Sequence, residues 1–470
     1  MDPEAFRRHG HAVIDRVADH LASLDALPVL ARVRPGDVRA ALPAEPPAHG
    51  EPFERVLADF DTVIVPGTTH WNHPGFMAYF AITGSGPGIL GETLAAALNV
   101  NAMLWRTGPA ATELEALTLD WLRQMVGLPA GFEGTINDTA STSTFHALAA
   151  ARELAPELRL REDGLAGRPE VPRLRIYASA EAHSSVDKAA VALGLGLAGI
   201  RRIPVDAQFR MDAEALAAAI AEDRANGVRP LAVVATVGTT STTAVDPVVE
   251  IAAVCERERL WLHVDAAYGG AAAVLPEMRD VLAGAERADS IVINPHKWLF
   301  TPIDCSALYV RRPDLLRRAF SLTPEYLETP ERDEATNLMD HGLALGRRFR
   351  ALKLWFVLRS FGVEGIRSRL REHLRLARLF AEHVDASPDF ERLAPAHFSV
   401  VVFRHAPAGD DDAALDARNE RLLERVNATG EIFLSHTRVA GHFAIRLAVG
   451  NLHTTEAHVL RAWELLRSLA

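Results

Sequence analysis

Cysteine is nearly absent: the 470 residues contain only Cys255 and Cys305. Their separation matches no zinc or redox spacing, and so few thiols suit a reducing, cytoplasmic setting. An excess of basic charge is also missing. The chain carries 50 Lys and Arg against 61 Asp and Glu, a net charge of −11, which argues against a general nucleic-acid or anionic-membrane binder. No long hydrophobic run occurs. The longest, Ala189 to Ile200, is too short to span a bilayer and is interrupted by glycines. Met1-Asp2-Pro3-Glu4 opens a polar helix rather than an apolar signal core. There is no internal repeat, no metal-ligand spacing and no Ser-His-Asp order.

What remains is an ordinary globular composition, 49% apolar and 24% charged, long enough for two to four domains or subdomains. Asp2-Pro3-Glu4 starts a helix whose apolar face carries Phe6, Val13, Ile14, Val17 and Leu21. Residues 34–52 are proline-rich and read as a connector. The segment up to about residue 85 has too little apolar material for its own core and is expected to clamp onto something larger. Pro109 to Val126 is an amphipathic helix, ended by Gly127. From about residue 130, strands alternate with helices, which predicts a mostly parallel sheet covered on both faces. The spacing places strands at 174–178, 200–205, 231–237, 260–264, 290–293 and 307–310, and a helix from about Thr144. Residues 321–345 show little periodicity. Beyond about 362 lies a smaller α/β unit. The divisions expected are 1–85, 86–361 and 362–470. Gly194-Leu195-Gly196-Leu197-Ala198-Gly199 matches the dinucleotide glycine pattern, but a helix precedes it and a strand follows, so it reads as a helix-ending turn.

The chemistry centres on Asn294-Pro295-His296-Lys297-Trp298. Three β-branched residues lead in, and Pro295 stops the ladder. Lys297 therefore stands where a buried strand ends, and burial lowers an ammonium pKa toward a usable amine. Alone, the stretch also suits a lysine that snorkels to the surface. Three further loops fall at strand ends or helix starts, where open α/β sheets bind ligands. Thr139-Ala140-Ser141 offers N–H groups and hydroxyls for a phosphate, or a plain helix cap. His183 precedes a helix. Asp265 ends a buried strand among alanines, where a carboxylate needs a partner. Together these describe a pyridoxal phosphate site: an amine for the aldehyde, an acid for the pyridine nitrogen and a hydroxyl loop for the phosphate.

The motifs Asn294 to Trp298, His263-Val264-Asp265-Ala266-Ala267-Tyr268, Gly238-Thr239-Thr240, Gly346-Arg347-Arg348-Phe349-Arg350, Pro109-Ala110-x-Thr112-Glu113-Leu114-Glu115 and His183-Ser184-Ser185 resemble those of group II pyridoxal-phosphate decarboxylases, above all the aromatic-L-amino-acid decarboxylases. The likeness runs from the N-terminal helix to about residue 450. It implies fold type I: a large seven-stranded-type sheet domain, an N-terminal helical segment and a small C-terminal α/β domain. It also implies a homodimer with sites at the interface. By position, Lys297 resembles the Schiff-base lysine, Asp265 the pyridine partner and His183 the ring-stacking imidazole. Ala140, Ser141, Thr240, Asn294 and His296 resemble cofactor or phosphate contacts. Tyr326 matches the loop tyrosine that protonates the quinonoid, although without the resemblance it reads as a solvated loop residue.

Trp71, Phe80 and Met103 match pocket positions, and Gly346 resembles a small residue that leaves room for an indole. Two departures bear on the pocket: Phe80-Ala81-Ile82 replaces Phe-Pro-Thr, and Asn137-Asp138-Thr139 stands where relatives have Gln-Gly-Ser. The expected activity is decarboxylation of an L-amino acid, aromatic by preference (tyrosine, DOPA, phenylalanine or tryptophan), to the amine and CO2. A non-aromatic substrate, an oxidative aldehyde synthase and a non-enzymatic cofactor-binding paralogue are the alternatives.

Overall fold

The computed structural model describes residues 1–322 and 334–470. The chain forms two compact units. The larger contains Ile82–Ala381 and Arg392–Val402; the smaller contains Met1–Ala81, Glu382–Glu391 and Phe403–Ala470.

The larger unit is built on seven strands: β1 (Glu133–Asn137), β2 (Leu174–Ser179), β3 (Ile200–Ile203), β4 (Arg229–Thr236), β5 (Trp261–Asp265), β6 (Ser290–Ile293) and β7 (Ser306–Val310). They lie in the order β1-β7-β6-β5-β4-β2-β3. Strands β3, β2, β4, β5 and β6 pair in parallel. β7 is antiparallel to both β6 and β1, so β1 runs with the parallel set. The central strands are buried throughout; β5 and β6 have no partly exposed residue. Continuous apolar strands of this kind belong to a sheet covered on both faces. One consequence governs the site: the loops after β1, β2, β4, β5 and β6 all leave the sheet at the same edge.

The helices end where local chemistry requires. Pro109–Val126 stops at Gly127, whose φ of +79° a glycine adopts without steric cost. The long run Arg350–Ala386 is broken at Gly362, with φ +62° and ψ 170°. The glycine-rich turn at 194–199 runs through a short 3-10 segment into β3, as a helix-ending turn should. One helix starts earlier than its sequence suggests: Ala140–Arg152 begins four residues before Thr144.

In the smaller unit, Asp2 caps the helix Pro3–Ala22 by accepting from the Ala5 N–H at 2.8 Å. Residues near 76 pair with the chain's C-terminal part: the Met77 N–H donates to the Phe433 carbonyl and the Ala448 N–H to the Met77 carbonyl, both at 2.9 Å. A second sheet consists of β8 (Phe390–Arg392), β9 (Val400–His405), β10 (Ser435–Val439) and β11 (His442–Ala448), in the order β10-β11-β9-β8; β10, β11 and the end of β9 belong to the smaller unit. The helices Asp412–Ala428 and Glu456–Leu469 complete the unit. Among the described residues, no helix is long and apolar enough to cross a membrane.

Candidate active site

At the sheet edge described above, β5 ends in Asp265, flanked in register by Thr236 of β4 and Val292 of β6. Only 6% of Asp265 is exposed, and its Oδ1 accepts from the Ala267 N–H at 3.1 Å. β6 runs into a single helical turn, Pro295–Trp298, which carries Lys297. That turn is held from two sides. The Asn294 N–H donates to the Ala267 carbonyl at 3.1 Å, and the His296 N–H to the Cys305 carbonyl at 3.3 Å. Behind Lys297, Trp298 stacks on Tyr268 at 5.0 Å and donates from Nε1 to His373 Nδ1 at 3.0 Å. Lys297 thus sits on a fixed wall beside the Asp265 carboxylate.

The electrostatics ties three groups together. Burial lowers the Lys297 pKa, and the Asp265 charge partly opposes this. Burial also lowers the His183 pKa; here Asp265 raises it and Lys297 lowers it. His183 is an exposed residue, yet its Nδ1 accepts from the Ser185 N–H at 3.1 Å. An acceptor nitrogen is an unprotonated one, so this geometry favours the neutral ring.

Thr139 stands at the N-cap of Ala140–Arg152 but its side chain does not cap it. The first N–H groups of that helix, those of Ala140 and Ser141, therefore face outward at the positive end of a dipole. After β4, the Gly238 and Thr239 N–H groups both donate to the Ala244 carbonyl at 3.0 Å. Gly238 has φ +90°, which suits only glycine in so tight a turn. Thr239 is fully buried, bonding Thr242 and the Ala244 N–H, whereas Thr240 is the exposed member of the pair.

Asn294 and His296 provide a test of what the site takes. His296 is buried and its pKa is pushed down to about 4, chiefly by burial. Its Nδ1 accepts from the Cys305 N–H at 2.8 Å, so the neutral ring carries its hydrogen on Nε2. That nitrogen lies 3.3 Å from the Asn294 amide nitrogen, while Asn294 Oδ1 is buried without a partner. The satisfied arrangement is the flipped amide, with the oxygen on His296 Nε2–H. It leaves the Asn294 N–H pair for an acceptor. An amine of lowered pKa, an acid, an uncapped helix end and this amide form a donor set that fits an aldehyde, a basic ring nitrogen and a phosphate.

The expected pocket residues divide. Met103 and Gly346 are brought together through Asn101. Its Nδ2 donates to Met103 Sδ at 3.4 Å, and its Oδ1 accepts from the Arg347 N–H at 2.9 Å. The Met339 N–H also donates to the Met103 carbonyl at 3.0 Å. Gly346 lines a cavity of about 140 Å3 with Asp138, Thr142 and Arg347, beside the start of the Ala140 helix. Ile82 is half-buried at the start of the larger unit. Trp71 and Phe80 belong to the smaller unit. There Trp71 stacks on Phe76 at 4.3 Å, and the Arg446 guanidinium lies 5.6 Å from the Phe80 ring. Tyr326 lies outside the described residues. Among the described residues no group of His, Cys, Asp and Glu could hold a metal ion.

Sequence reasoning passed over the polar residues beneath this edge, notably Thr144, His263 and Ser290. Their signal was available: Trp261, His263 and Asp265 alternate on one face of β5.

A family model described as "Pyridoxal-dependent decarboxylase conserved domain" matches residues 35–406. A tryptophan decarboxylase of Camptotheca acuminata is 40% identical over 478 residues, covering 99% of this chain and 95% of its own. A phenylacetaldehyde synthase of a Rosa hybrid cultivar is 39% identical over 483 residues, covering 100% and 94%. The crystal structure of Oryza sativa TDC with PLP and tryptamine superposes with a TM-score of 0.96 at 39% identity, covering 100% of this chain and 98% of that one.

Proposed function

The chain belongs to the pyridoxal-dependent decarboxylases, and from that premise we propose that it decarboxylates an aromatic L-amino acid to its amine and CO2. The observation that carries this reading is the lowered pKa of Lys297 beside Asp265, at the edge where the parallel strands end. When bound, pyridoxal 5'-phosphate supplies a conjugated ring that accepts the electron pair left on the substrate α-carbon as CO2 departs.

The chain's own residues do the rest. Lys297, whose ammonium form burial disfavours, carries the nucleophile that fastens the aldehyde carbon and later takes part in releasing product. Asp265 holds a proton on the pyridine nitrogen by opposing its loss. His183, neutral and fixed by the Ser185 N–H, offers a flat ring face for stacking. The N–H groups of Ala140 and Ser141, the Ser141 hydroxyl, Thr240, Asn294 and His296 would hold the phosphate. Tyr326 is the proposed proton donor to the substrate α-carbon.

Trp71 and Phe80 of the smaller unit, and Ile82, Met103 and Gly346 of the larger, are each proposed as substrate-pocket residues. Ile82 offers no hydroxyl to substrate, so recognition there is apolar. A homodimer is proposed because the helix Pro3–Ala22 buries none of its residues, with Phe6 68% exposed. A reducing compartment such as the cytoplasm suits its two free, buried thiols.

The test is a panel of tyrosine, DOPA, phenylalanine, tryptophan and glutamate with the cofactor-loaded chain, quantifying amine and CO2 together. Amine equal to CO2 from an aromatic substrate is the expected result. Aldehyde, ammonia and peroxide in place of amine would assign the chain to the oxidative branch, in which its aldehyde-synthase relative is named. No turnover of any substrate would overturn the enzymatic reading.

A further inference from the structure

The apolar core beneath the sheet edge contains a row of buried polar side chains. Asn137, Ser143, Thr144, His263, Ser290 and Ser306 are each at most 8% exposed. They are surrounded by Ala147, Leu148, Trp261 and Leu308. The row crosses four neighbouring strands: Asn137 on β1 faces Ser306 on β7, and His263 on β5 faces Ser290 on β6. Both ends of it converge on consecutive residues of the Ala140–Arg152 helix.

Two branches make that connection. In one, Asn137 Nδ2 donates to Ser143 Oγ at 3.1 Å, and Ser143 Oγ lies 2.9 Å from Ser306 Oγ. In the other, Trp261 Nε1 donates to Ser290 Oγ at 2.9 Å. Ser290 Oγ lies 2.8 Å from His263 Nδ1, and His263 Nε2 lies 3.4 Å from Thr144 Oγ1. Indole nitrogen can only donate, so Ser290 Oγ accepts from Trp261, and His263 spans Ser290 and Thr144 with one ring nitrogen on each. Burial pushes the His263 pKa down to about 4, which keeps the ring neutral.

Shape complementarity alone holds an apolar helix face. Two consecutive hydroxyls bonded to different strands add a directional constraint, since any shift leaves a buried polar group unmet. We propose that this polar row sets the depth and rotation of the Ala140–Arg152 helix, and thereby the aim of its first N–H groups at the cofactor phosphate. Thr144 and His263 are positioning residues. The inference rests on the phosphate assignment made above for that helix end.

The experiment compares two ligands on the cofactor-free chain, followed by absorbance of the bound chromophore: pyridoxal 5'-phosphate and pyridoxal, which lacks the phosphate. Thr144→Val removes the hydroxyl partner of His263, Thr144→Ser keeps it, and Ser143→Ala opens the other branch with the loss of one hydroxyl only. Thr144→Val and Ser143→Ala are expected to weaken pyridoxal phosphate binding about tenfold and to change pyridoxal binding less than twofold. Thr144→Ser is expected to retain wild-type binding of both. Equal weakening of both ligands indicates general loosening of the core and overturns the proposal, as does unchanged binding of both. If Thr144→Val does not fold, Ser143→Ala decides by the same ratio. Wild type that takes up neither ligand overturns the cofactor reading itself, and this inference with it.

Discussion

Arg347 Nη2 stands 2.8 Å from Glu115 Oε1, with 8% and 3% of their side chains exposed. The same guanidinium nitrogen donates to the Ile136 carbonyl at 2.7 Å, and the Ile136 N–H donates to Glu115 Oε1 at 2.8 Å. The pair therefore joins the segment after Gly346, the helix Pro109–Val126 and β1. Two sequence motifs more than two hundred residues apart meet in one ion pair. Glu115→Ala leaves a buried, unpaired guanidinium and is expected to cost about 3–5 kcal/mol. Glu115→Gln keeps an acceptor for the Ile136 N–H and is expected to cost less. Urea denaturation midpoints of the two variants check the order.

Gly342 and Gly346 look equivalent in sequence but are opposites in space. A Cβ on Gly342 would stand 2.4 Å from His146 Cε1, and His146 is itself buried, accepting from the Leu343 N–H at 3.0 Å. Gly342→Ala should destabilise the fold by about 1–3 kcal/mol through overpacking. A Cβ on Gly346 would meet only Asn101 Nδ2, at an ordinary 3.8 Å. Gly346→Ala should fold normally and act on selectivity, lowering kcat/KM for tryptophan relative to tyrosine about tenfold. Thermal melting separates the first effect, and paired substrate kinetics the second.

Burial lowers the pKa of His146, His263 and His296 to about 4 and of His341 to about 3. A base whose folded pKa lies below its unfolded value binds fewer protons when folded. Its contribution is intact above the unfolded value near 6.5 and is lost as pH falls toward the folded one. Each group then contributes a slope of up to about 1.4 kcal/mol per pH unit. Folding stability should be flat from pH 8 to 7 and fall steeply between 6.5 and 4. Denaturant midpoints across that range check it, and His146→Gln should reduce the slope by one group's share.

The strand ends and the residues set at them were legible because they obey local rules. A largely apolar strand closes on Asp265 and a β-branched run on Asn294-Pro295, and a proline or a buried acid at a strand end is conspicuous. The start of the Ala140 helix was misplaced for a physical reason. Thr139 to Thr144 holds five hydroxyl residues before and at the expected start, which by propensity read as a loop. Bonds from Ser143 to Ser306 and from Thr144 to His263 override that preference, and only the folded sheet supplies those partners. β10 escaped notice because its Ser-His-Thr-Arg-Val segment buries only its two ends. The helix Asp412–Ala428 had signals that went unused: a capping Asp411 and Leu415, Leu422 and Val426 on one face.

The helix Gly86–Leu98 supplies the test of assembly. Gly88 and Gly91 are buried, and a Cβ on either would stand 2.3 Å from Pro302 Cδ or 2.9 Å from Lys353 Cα. That face is pressed against the chain's own core. Leu90, Leu94 and Leu98 follow one another four residues apart and are 50%, 48% and 59% exposed, so they form a single outward stripe. The stripe cannot serve the core that the glycines already face, and a contiguous apolar strip of this kind is a mark of association. A second copy of the chain is the proposed cover. Each leucine buried there would contribute about 1.5–3 kcal/mol, and a charge at the middle position would remove that contribution from both copies at once. Leu94→Asp should therefore sediment as a monomer with an unchanged circular dichroism spectrum, while Leu197→Asp, at a still more exposed site elsewhere, should leave the assembly intact. If Leu94→Asp sediments with the wild type as a dimer, the interface lies on another face.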